Sequence, residues 1–479
     1  PNSGVLFMFF YEEKRRSILG IAKKKMFGQK TSSKLQSFVE RGTLLAIDIA
    51  YAKLQAPNGD EKELALHAAL LASARNGHLC LDKTLIEDPS LSDLLPEGKH
   101  YLPKYTEVED QIVMQTKRLL KLPKRQKKDF AQGKATEEQQ QAAQNALVHP
   151  LSLITGGPGT GKTYTAILIA KALQTSTIVT APTGKAAAHL ESQMPFPVKG
   201  GTLHSLLIEE TLDANLVIVD ECSMIDPFLF ARLLSSIPPE STLVLMGDIH
   251  QLPAVEGGSV FADLMASNTI PTTTLSKCMR SDRKEILDLA NAILHNQVTE
   301  MRNVDLGFAD ADLETIYQKL WDYVKEKDFS RFRILSTLRK GPLGVDALNR
   351  FLFEKFSSKA IQFPILITRN DRRTGLSNGE TGILQKDLAI FGDKQFPVSE
   401  LPPYEYAYCI SVHKSQGSEY DDVLFLIPDG TESFGREVLY TGVTRAKHSL
   451  VIDGNPEQIV AALLRSSRKI SGIHDKMKL

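Results

Sequence analysis

The residues with the plainest chemical purpose are Gly156-Gly157-Pro158-Gly159-Thr160-Gly161-Lys162-Thr163. They follow the apolar stretch Leu151–Thr155 and lead into Thr165–Leu173, which has helical patterning. A glycine-rich loop thus joins a strand to a helix. Glycines let successive backbone N–H groups converge on phosphate oxygens, and the helix N-terminus adds a favourable dipole. A nucleoside triphosphate, ATP, is the predicted occupant. Lys162 should reach its β- and γ-phosphates, and Thr163 should hold Mg2+ through its hydroxyl.

A second strand, Leu216–Val219, ends in Asp220-Glu221. Asp220 at a strand tip can bind Mg2+, and Glu221 can orient and deprotonate the attacking water. Cys222 reads as a small packing residue. Leu243–Met246 is another strand with a polar end, Gly247-Asp248-Ile249-His250-Gln251. Gln251 there could sense the γ-phosphate; a plain polar loop is the alternative. Phosphoryl transfer also needs positive charge for its transition state. Arg280 and Arg445 are the candidates, although isolated arginines usually sit on surfaces.

These groups need a scaffold. From Leu151 to about Leu294 short apolar strands alternate with helices, with strands at Leu151–Thr155, Thr177–Thr180, Leu216–Val219 and Leu243–Met246. That pattern predicts an α/β domain with a parallel sheet. A second series has strands at Ile334–Ser336, Tyr406–Ser411, Val423–Ile427 and Leu450–Asp453. The turn-rich stretch 363–403 predicts a small β insertion in this second sheet domain. Residues 38 to about 122 read as mostly helical, with Ala65, Ala68, Ala69, Leu71 and Ala72 at helical spacing. The expected division is a leader at 1–37, a helical domain at 38–125, a first α/β domain at 126–330 and a second at 331–479.

Composition sets the outer bounds. The chain has 479 residues, 42% hydrophobic, enough for about three domains with real cores. Lys+Arg and Asp+Glu both number 57. That balance excludes a binder working through bulk charge but allows a local nucleic-acid groove. The basic run Lys117, Arg118, Lys121, Lys124, Arg125, Lys127, Lys128 is a solvated helix end and linker, or a phosphate-contacting patch. Four scattered cysteines suit a reducing cytoplasm. No apolar run approaches the ~18 residues that span a bilayer. In the leader the apolar run Val5–Tyr11 precedes its basic residues, the reverse of a signal peptide. It is expected to be poorly ordered.

Taken together the blocks resemble superfamily 1 helicases. Thr136-Glu137-Glu138-Gln139 resembles the Q-motif, whose glutamine reads adenine. Thr180–Ala187 resembles motif Ia, Thr202-Leu203-His204 the Ib region, and Asp220-Glu221 and Gly247–Gln251 motifs II and III. Arg280 matches the motif IV arginine, Ser411–Tyr420 motif V and Leu439–Lys447 motif VI. The wording Val412-His413-Lys414-Ser415-Gln416-Gly417-Ser418-Glu419-Tyr420-Asp421, with Leu376–Gly382 and Phe396–Pro402, is similar to the RecD family, superfamily 1B DNA helicases. The resemblance runs from about residue 38 to the end and is weakest at the front.

The resemblance implies two RecA-like P-loop domains behind an N-terminal helical domain that docks partners. It implies an ATP-driven motor moving 5′ to 3′ on single-stranded DNA, beside RecB- and RecC-like subunits in an exodeoxyribonuclease V that processes double-strand breaks. It adds Glu419 to the nucleotide contacts, and makes Pro182, Thr183, Lys185, His204, His413, Lys414 and Ser415 the DNA contacts. Their bland alternatives are turn and cap roles. One departure concerns strand separation. Only Ile208–Asn215 lies where the family often inserts a duplex-splitting β-hairpin, so translocation is better supported than independent unwinding. No carboxylate pattern reads as a nuclease site, so that chemistry is expected on another subunit. A free-standing helicase and an ATP-gated DNA clamp with little hydrolysis are the rival readings. Glu221, Gln251, Arg280 and Arg445 together argue against the clamp.

Overall fold

The computed structural model describes residues 33–125, 134–208, 211–278, 284–297, 311–357, 362–371 and 373–479. The apolar run Val5–Tyr11 with its basic followers, Lys127, Lys128 and Arg280 all lie outside the described residues. The chain forms two compact units.

The first unit holds the described residues up to Glu109 together with Glu256–Gly258 and Lys469–Gly472. Its helices Ser33–Glu40, Ala46–Gln55 and Glu61–Arg75 bury Leu35, Phe38, Ile49, Ala52, Ala65 and Ala68 against one another. Asp60 starts the third helix by accepting the Glu63 N–H at 2.9 Å, an N-cap that satisfies an orphan donor. Leu35 is fully buried in this core. Residues 33–37 therefore belong to the fold, not to a poorly ordered leader. Strands β1 (Cys80–Leu81) and β2 (His100–Tyr101) pair antiparallel. The Leu79 N–H donates to the Ile470 carbonyl at 2.9 Å, and the Gly472 N–H to the Glu109 carboxylate at 2.9 Å, so the segment Lys469–Gly472 is tied in.

The second unit contains two parallel sheets. The first lobe is built on β3 (Leu151–Gly156), β4 (Thr177–Ala181), β5 (Lys199–Thr202), β6 (Leu216–Val219), β7 (Thr242–Gly247) and β8 (Thr272–Leu275). Their order is β5-β4-β6-β7-β3-β8, with every neighbour parallel. The four central strands are entirely buried. That burial is why they read as unbroken apolar runs. Edge strand β5 has no fully buried residue, and edge strand β8 buries Thr273 and Leu275 but exposes Thr274.

The second lobe begins with β9 (Phe332–Ser336). An antiparallel sheet follows, formed by β10 (Gln362–Ile367), β11 (Thr381–Gln385), β12 (Leu388–Phe391), β13 (Lys394–Pro397) and β14 (Tyr404–Tyr406). The chain then returns through β15 (Cys409–Ser411), β16 (Tyr420–Ile427) and β17 (Ala446–Gly454), which with β9 make a parallel sheet ordered β15-β9-β16-β17. The stretch expected as one strand, Tyr406–Ser411, is thus two. Tyr406 closes β14 in the antiparallel sheet, and Cys409–Ser411 joins β9 in the parallel one.

Two helices that the sequence groups with the first lobe pack elsewhere. Ile286, Ala290 and Ile293 of helix Lys284–Leu294 share a core with Leu335, Ile410, Phe425 and Leu439. Ile316, Leu320 and Val324 of helix Leu313–Val324 share one with Phe332, Ile334 and Leu424. Trp321 lies on that second core, edge-to-face with Phe356 at 4.9 Å. Residues 211–215 form no helix or strand. Among the described residues, no helix is long and apolar enough to cross a membrane.

Candidate functional site

The glycine-rich loop is shaped by backbone that only glycine adopts readily. Gly159 and Gly161 have φ of 75° and 87°, in the left-handed region that penalises a Cβ. A Cβ on Gly161 would also fall 2.4 Å from Gln139 Nε2. Lys162 and Thr163 open the helix Lys162–Leu173, and Lys162 Nζ donates to the carbonyls of Gly156 at 2.6 Å and Gly157 at 3.3 Å. The lysine is thereby held along the loop that Gly157, Pro158 and Thr160 complete. Gln139 is 2% exposed. Its Oε1 accepts from the Thr136 N–H at 3.0 Å, and its Nε2 donates to the Thr160 carbonyl at 3.2 Å. It therefore braces the loop from behind, as well as closing the capping box of its own helix.

The carboxylates stand at the adjacent strand ends. Asp220 Oδ1 accepts from the Glu221 N–H at 2.8 Å. Glu221 has φ of 53°, a strained position for a side chain that large. Its Oε2 is buried with no hydrogen-bond partner among the described residues. Burial, then the neighbouring Asp220 charge, pushes the Glu221 carboxyl up, while Lys162 and Arg445 pull it down. Burial likewise raises Asp220, opposed by Lys162. A carboxylate that keeps a lone pair in a dry site is poised to take a proton. Asp248 is fully buried and accepts from the His250 N–H at 3.0 Å and from Gln251 Nε2 at 3.3 Å. Gln251 is 5% exposed, and its Oε1 is unpartnered among the described residues.

The second lobe meets these strand ends directly. The Tyr440 hydroxyl donates to Asp248 Oδ2 at 2.9 Å. It also lies 3.0 Å from where a Gly157 Cβ would be, so Gly157 is glycine partly to admit it. Arg445 is 3% exposed. Its Nε donates to the Thr441 carbonyl at 3.0 Å, Nη1 to the Ser418 carbonyl at 3.1 Å and Nη2 to the Thr444 hydroxyl at 3.1 Å. The guanidinium is anchored in its own lobe, within electrostatic reach of Glu221. Glu419 follows Ser418 and is half-buried. A cavity of about 390 Å³ opens beside His250 and Gln251, with Phe261, Met265, Leu294 and Arg436 among its lining.

The expected DNA contacts fall into two groups. Pro182 and Thr183 stand at the end of β4, where the Thr183 hydroxyl caps the helix Gly184–Ser192. A Gly417 Cβ would lie 3.3 Å from that hydroxyl, and Lys185 Nζ donates to Ser418 Oγ at 3.0 Å. Lys185 also stands over the Tyr420 ring, 5.9 Å from its centroid. The first-lobe and second-lobe candidates are therefore side by side. His204 is exposed, on the short helix Leu203–Leu206. His413 packs edge-to-face on Phe434 at 5.8 Å. Lys414 pairs with the Glu405 carboxylate. Ser415 corrects the expectation. It is fully buried and its hydroxyl donates to the Val412 carbonyl at 2.7 Å, so it shapes the turn instead of presenting a hydroxyl to a strand. Asp248, Gln416, Tyr440 and Thr441 are the residues that motif reading passed over; each lies inside a quoted block, but nothing in the spacing marks it as an inter-lobe contact.

The donor set suits Mg2+. Among the described residues no group of three or more His, Cys, Asp or Glu is placed to hold a metal. Mg2+ needs only one or two protein oxygens beside phosphate, which Asp220 and Thr163 can supply.

An AAA domain model matches residues 134–308, and a UvrD-like helicase C-terminal domain model matches 406–452. The RecBCD enzyme subunit RecD of Mycolicibacterium smegmatis is 30% identical over 420 residues, covering 72% of this chain and 76% of that protein. The ATP-dependent RecD2 DNA helicase of Deinococcus radiodurans is 29% identical over 419 residues, covering 78% of this chain and 58% of that one. Among solved structures, Bacteroides Pif1 bound to single-stranded DNA is 19% identical, covers 68% of this chain and 93% of its own, and has a TM-score of 0.45.

Proposed function

Because the chain belongs to the RecD family of superfamily 1 helicases, we propose that it is the 5′-to-3′ single-stranded-DNA translocase subunit of a RecBCD-type exodeoxyribonuclease V. It is an ATP-hydrolysing DNA helicase of that family. RecB- and RecC-like subunits are its partners, docked through the N-terminal helical region, and nuclease chemistry belongs to another subunit. Its four scattered cysteines suit a cytoplasmic setting.

One observation carries the reading: Tyr440 reaches across to Asp248 at 2.9 Å, which brings the second lobe up to the carboxylates and glycine-rich loop of the first. In the mechanism this geometry supports, the loop amides and Lys162 bind and orient the phosphates. Mg2+, held by Thr163 and Asp220, would offset charge on the phosphate oxygens. Glu221 takes the proton of the attacking water at its unpartnered Oε2. Arg445, joined by Arg280, neutralises charge as the γ-phosphoryl group leaves. Gln251 senses that group. Pro182, Thr183, Lys185, His204, His413 and Lys414 follow the strand with contacts that read backbone, not sequence. Glu419 completes the nucleotide contacts, and Gln139 serves them from behind by bracing Thr160.

The test is the ATPase rate of the purified chain, with and without single-stranded DNA, alone and with partner subunits. Stimulation by DNA supports the motor. Tight DNA binding with negligible turnover would favour a clamp. A free-standing helicase is the second reading, since the Deinococcus relative is named a DNA helicase and not a subunit; full unwinding by the lone chain would favour it.

A further inference from the structure

Leu252 follows Gln251 in the first lobe, yet it is held by the second on every side. Its backbone N–H donates to the Thr441 hydroxyl at 3.0 Å. Its carbonyl accepts from Gln416 Nε2 at 3.0 Å. Its side chain, 2% exposed, sits in the core formed by Leu335, Ile410, Val412, Leu439 and Val443. Thr441 lies on the helix Arg436–Val443, two residues before Val443 ends it and four before Arg445. Gln416 closes the turn His413–Ser415, beside Lys414. A parallel bond runs between the same elements, where Tyr440 donates to the Asp248 carboxylate that also receives Gln251.

We propose that Leu252 is the point at which nucleotide state passes to the second lobe and its DNA contacts, with Thr441, Gln416 and Tyr440 as the positioning residues that receive it. The inference rests on the motor reading of the site. A shift of Gln251 toward or away from a γ-phosphate must move the next peptide. That peptide cannot move alone, because burial makes each of its broken hydrogen bonds costly. The helix that leads into Arg445 and the turn that carries Lys414 therefore move with it. Two discrete contacts and a core side chain give the two lobes a shared element that both sites can bias, which is what coupling requires.

The experiment uses the full chain and three conservative variants, Tyr440→Phe, Thr441→Val and Thr441→Ser. Phe and Val keep shape and remove only the hydroxyl; Ser keeps the acceptor for the Leu252 N–H. Each is assayed for ATP turnover with and without single-stranded DNA, with a thermal melt to check folding. In Tyr440→Phe and Thr441→Val, DNA stimulation of kcat should fall about tenfold, inside the usual range for coupling between sites, with KM for ATP within about twofold of wild type. Thr441→Ser should keep its stimulation. Full stimulation in both hydroxyl-lacking variants would overturn the proposal while leaving the motor intact. So would an equal loss of the DNA-free rate, which would mean a role in the chemistry itself. A wild-type chain that DNA does not stimulate would instead overturn the motor reading, and this inference with it.

Discussion

The two parallel sheets of the second unit position their functional groups by different means. In the first lobe the backbone does it. Gly159, Gly161 and Glu221 all sit at positive φ, directly after buried strands, so the loop and the carboxylate are fixed where β3 and β6 end. In the second lobe the groups are side chains tethered to their own carbonyls, as Arg445 is to those of Thr441 and Ser418. The first arrangement is preorganised for phosphate. The second acts only where the lobe is docked, through contacts such as Tyr440 to Asp248. Binding should therefore depend on the first lobe, and turnover on both.

The largest test of that split is Arg445→Ala. An arginine supplied across a site to a phosphoryl transition state contributes about 10³–10⁵ in rate. We expect DNA-stimulated turnover to fall by that order while ATP affinity changes little, measured by steady-state kinetics and nucleotide binding. A melt separates this from damage to the lobe, since the guanidinium also serves three buried acceptors. A rate near wild type would show that the second lobe contributes no chemistry.

Glu221→Gln comes next. It keeps the shape at the left-handed position and removes the base, at an expected cost of about 10²–10⁴ in kcat. ATP should still bind. If nucleotide binding vanished instead, the carboxylate would be a ligand and not a base. Gly161→Ala probes the backbone side of the comparison. A left-handed alanine costs about 1–2 kcal/mol, roughly a tenfold effect, and its Cβ would press on Gln139. KM for ATP should rise about tenfold by that estimate, with single-strand binding unchanged in the absence of nucleotide. Unchanged KM would mean that the loop is less rigid than its dihedrals imply.

The same contrast explains what was legible in the sequence. The central strands β3, β4, β6 and β7 are buried on both faces and read as apolar runs. The edges β5, Lys199-Gly200-Gly201-Thr202, and β8, Thr272–Leu275, carry no such run and were not anticipated. Tyr406–Ser411 looked like one strand because local apolarity cannot say which sheet receives each end. The loop, Asp220, Glu221 and Gln251 were readable because their partners are near in sequence or fixed at strand ends. Tyr440 to Asp248 and Gln416 to Leu252 were not, since each pair is long-range in sequence and created by docking. Ser415 misled for the converse reason: a motif gives the residue type, while burial of its hydroxyl depends on the turn.

Lys185 carries the smallest expected effect and the finest test of how the lobes meet. Burial, and then the nearby Arg333 and Lys447 charges, lowers its amine to about 8, although Glu380 and Glu419 pull the other way. It donates to Ser418 and stands over the Tyr420 ring, so it sits at the junction of the two lobes. Its folded-state value lies below that of the unfolded chain. Folding therefore favours the neutral amine, and stability from this group is gained as pH rises from about 8 toward the ordinary lysine range and lost as pH falls through about 8. Affinity for a phosphate backbone has the opposite sign, because the contact exists only while the amine is charged. Between pH 7 and 9 single-strand binding should weaken by a few-fold, and the logarithmic salt slope should shrink by about 0.7, the value for one single-strand phosphate. Lys185→Arg, charged at every accessible pH, should flatten that pH dependence. Were the wild-type salt slope constant across this range, Lys185 would be a lobe-to-lobe strut and not a strand contact, and the DNA track would shift toward His204 and Lys414.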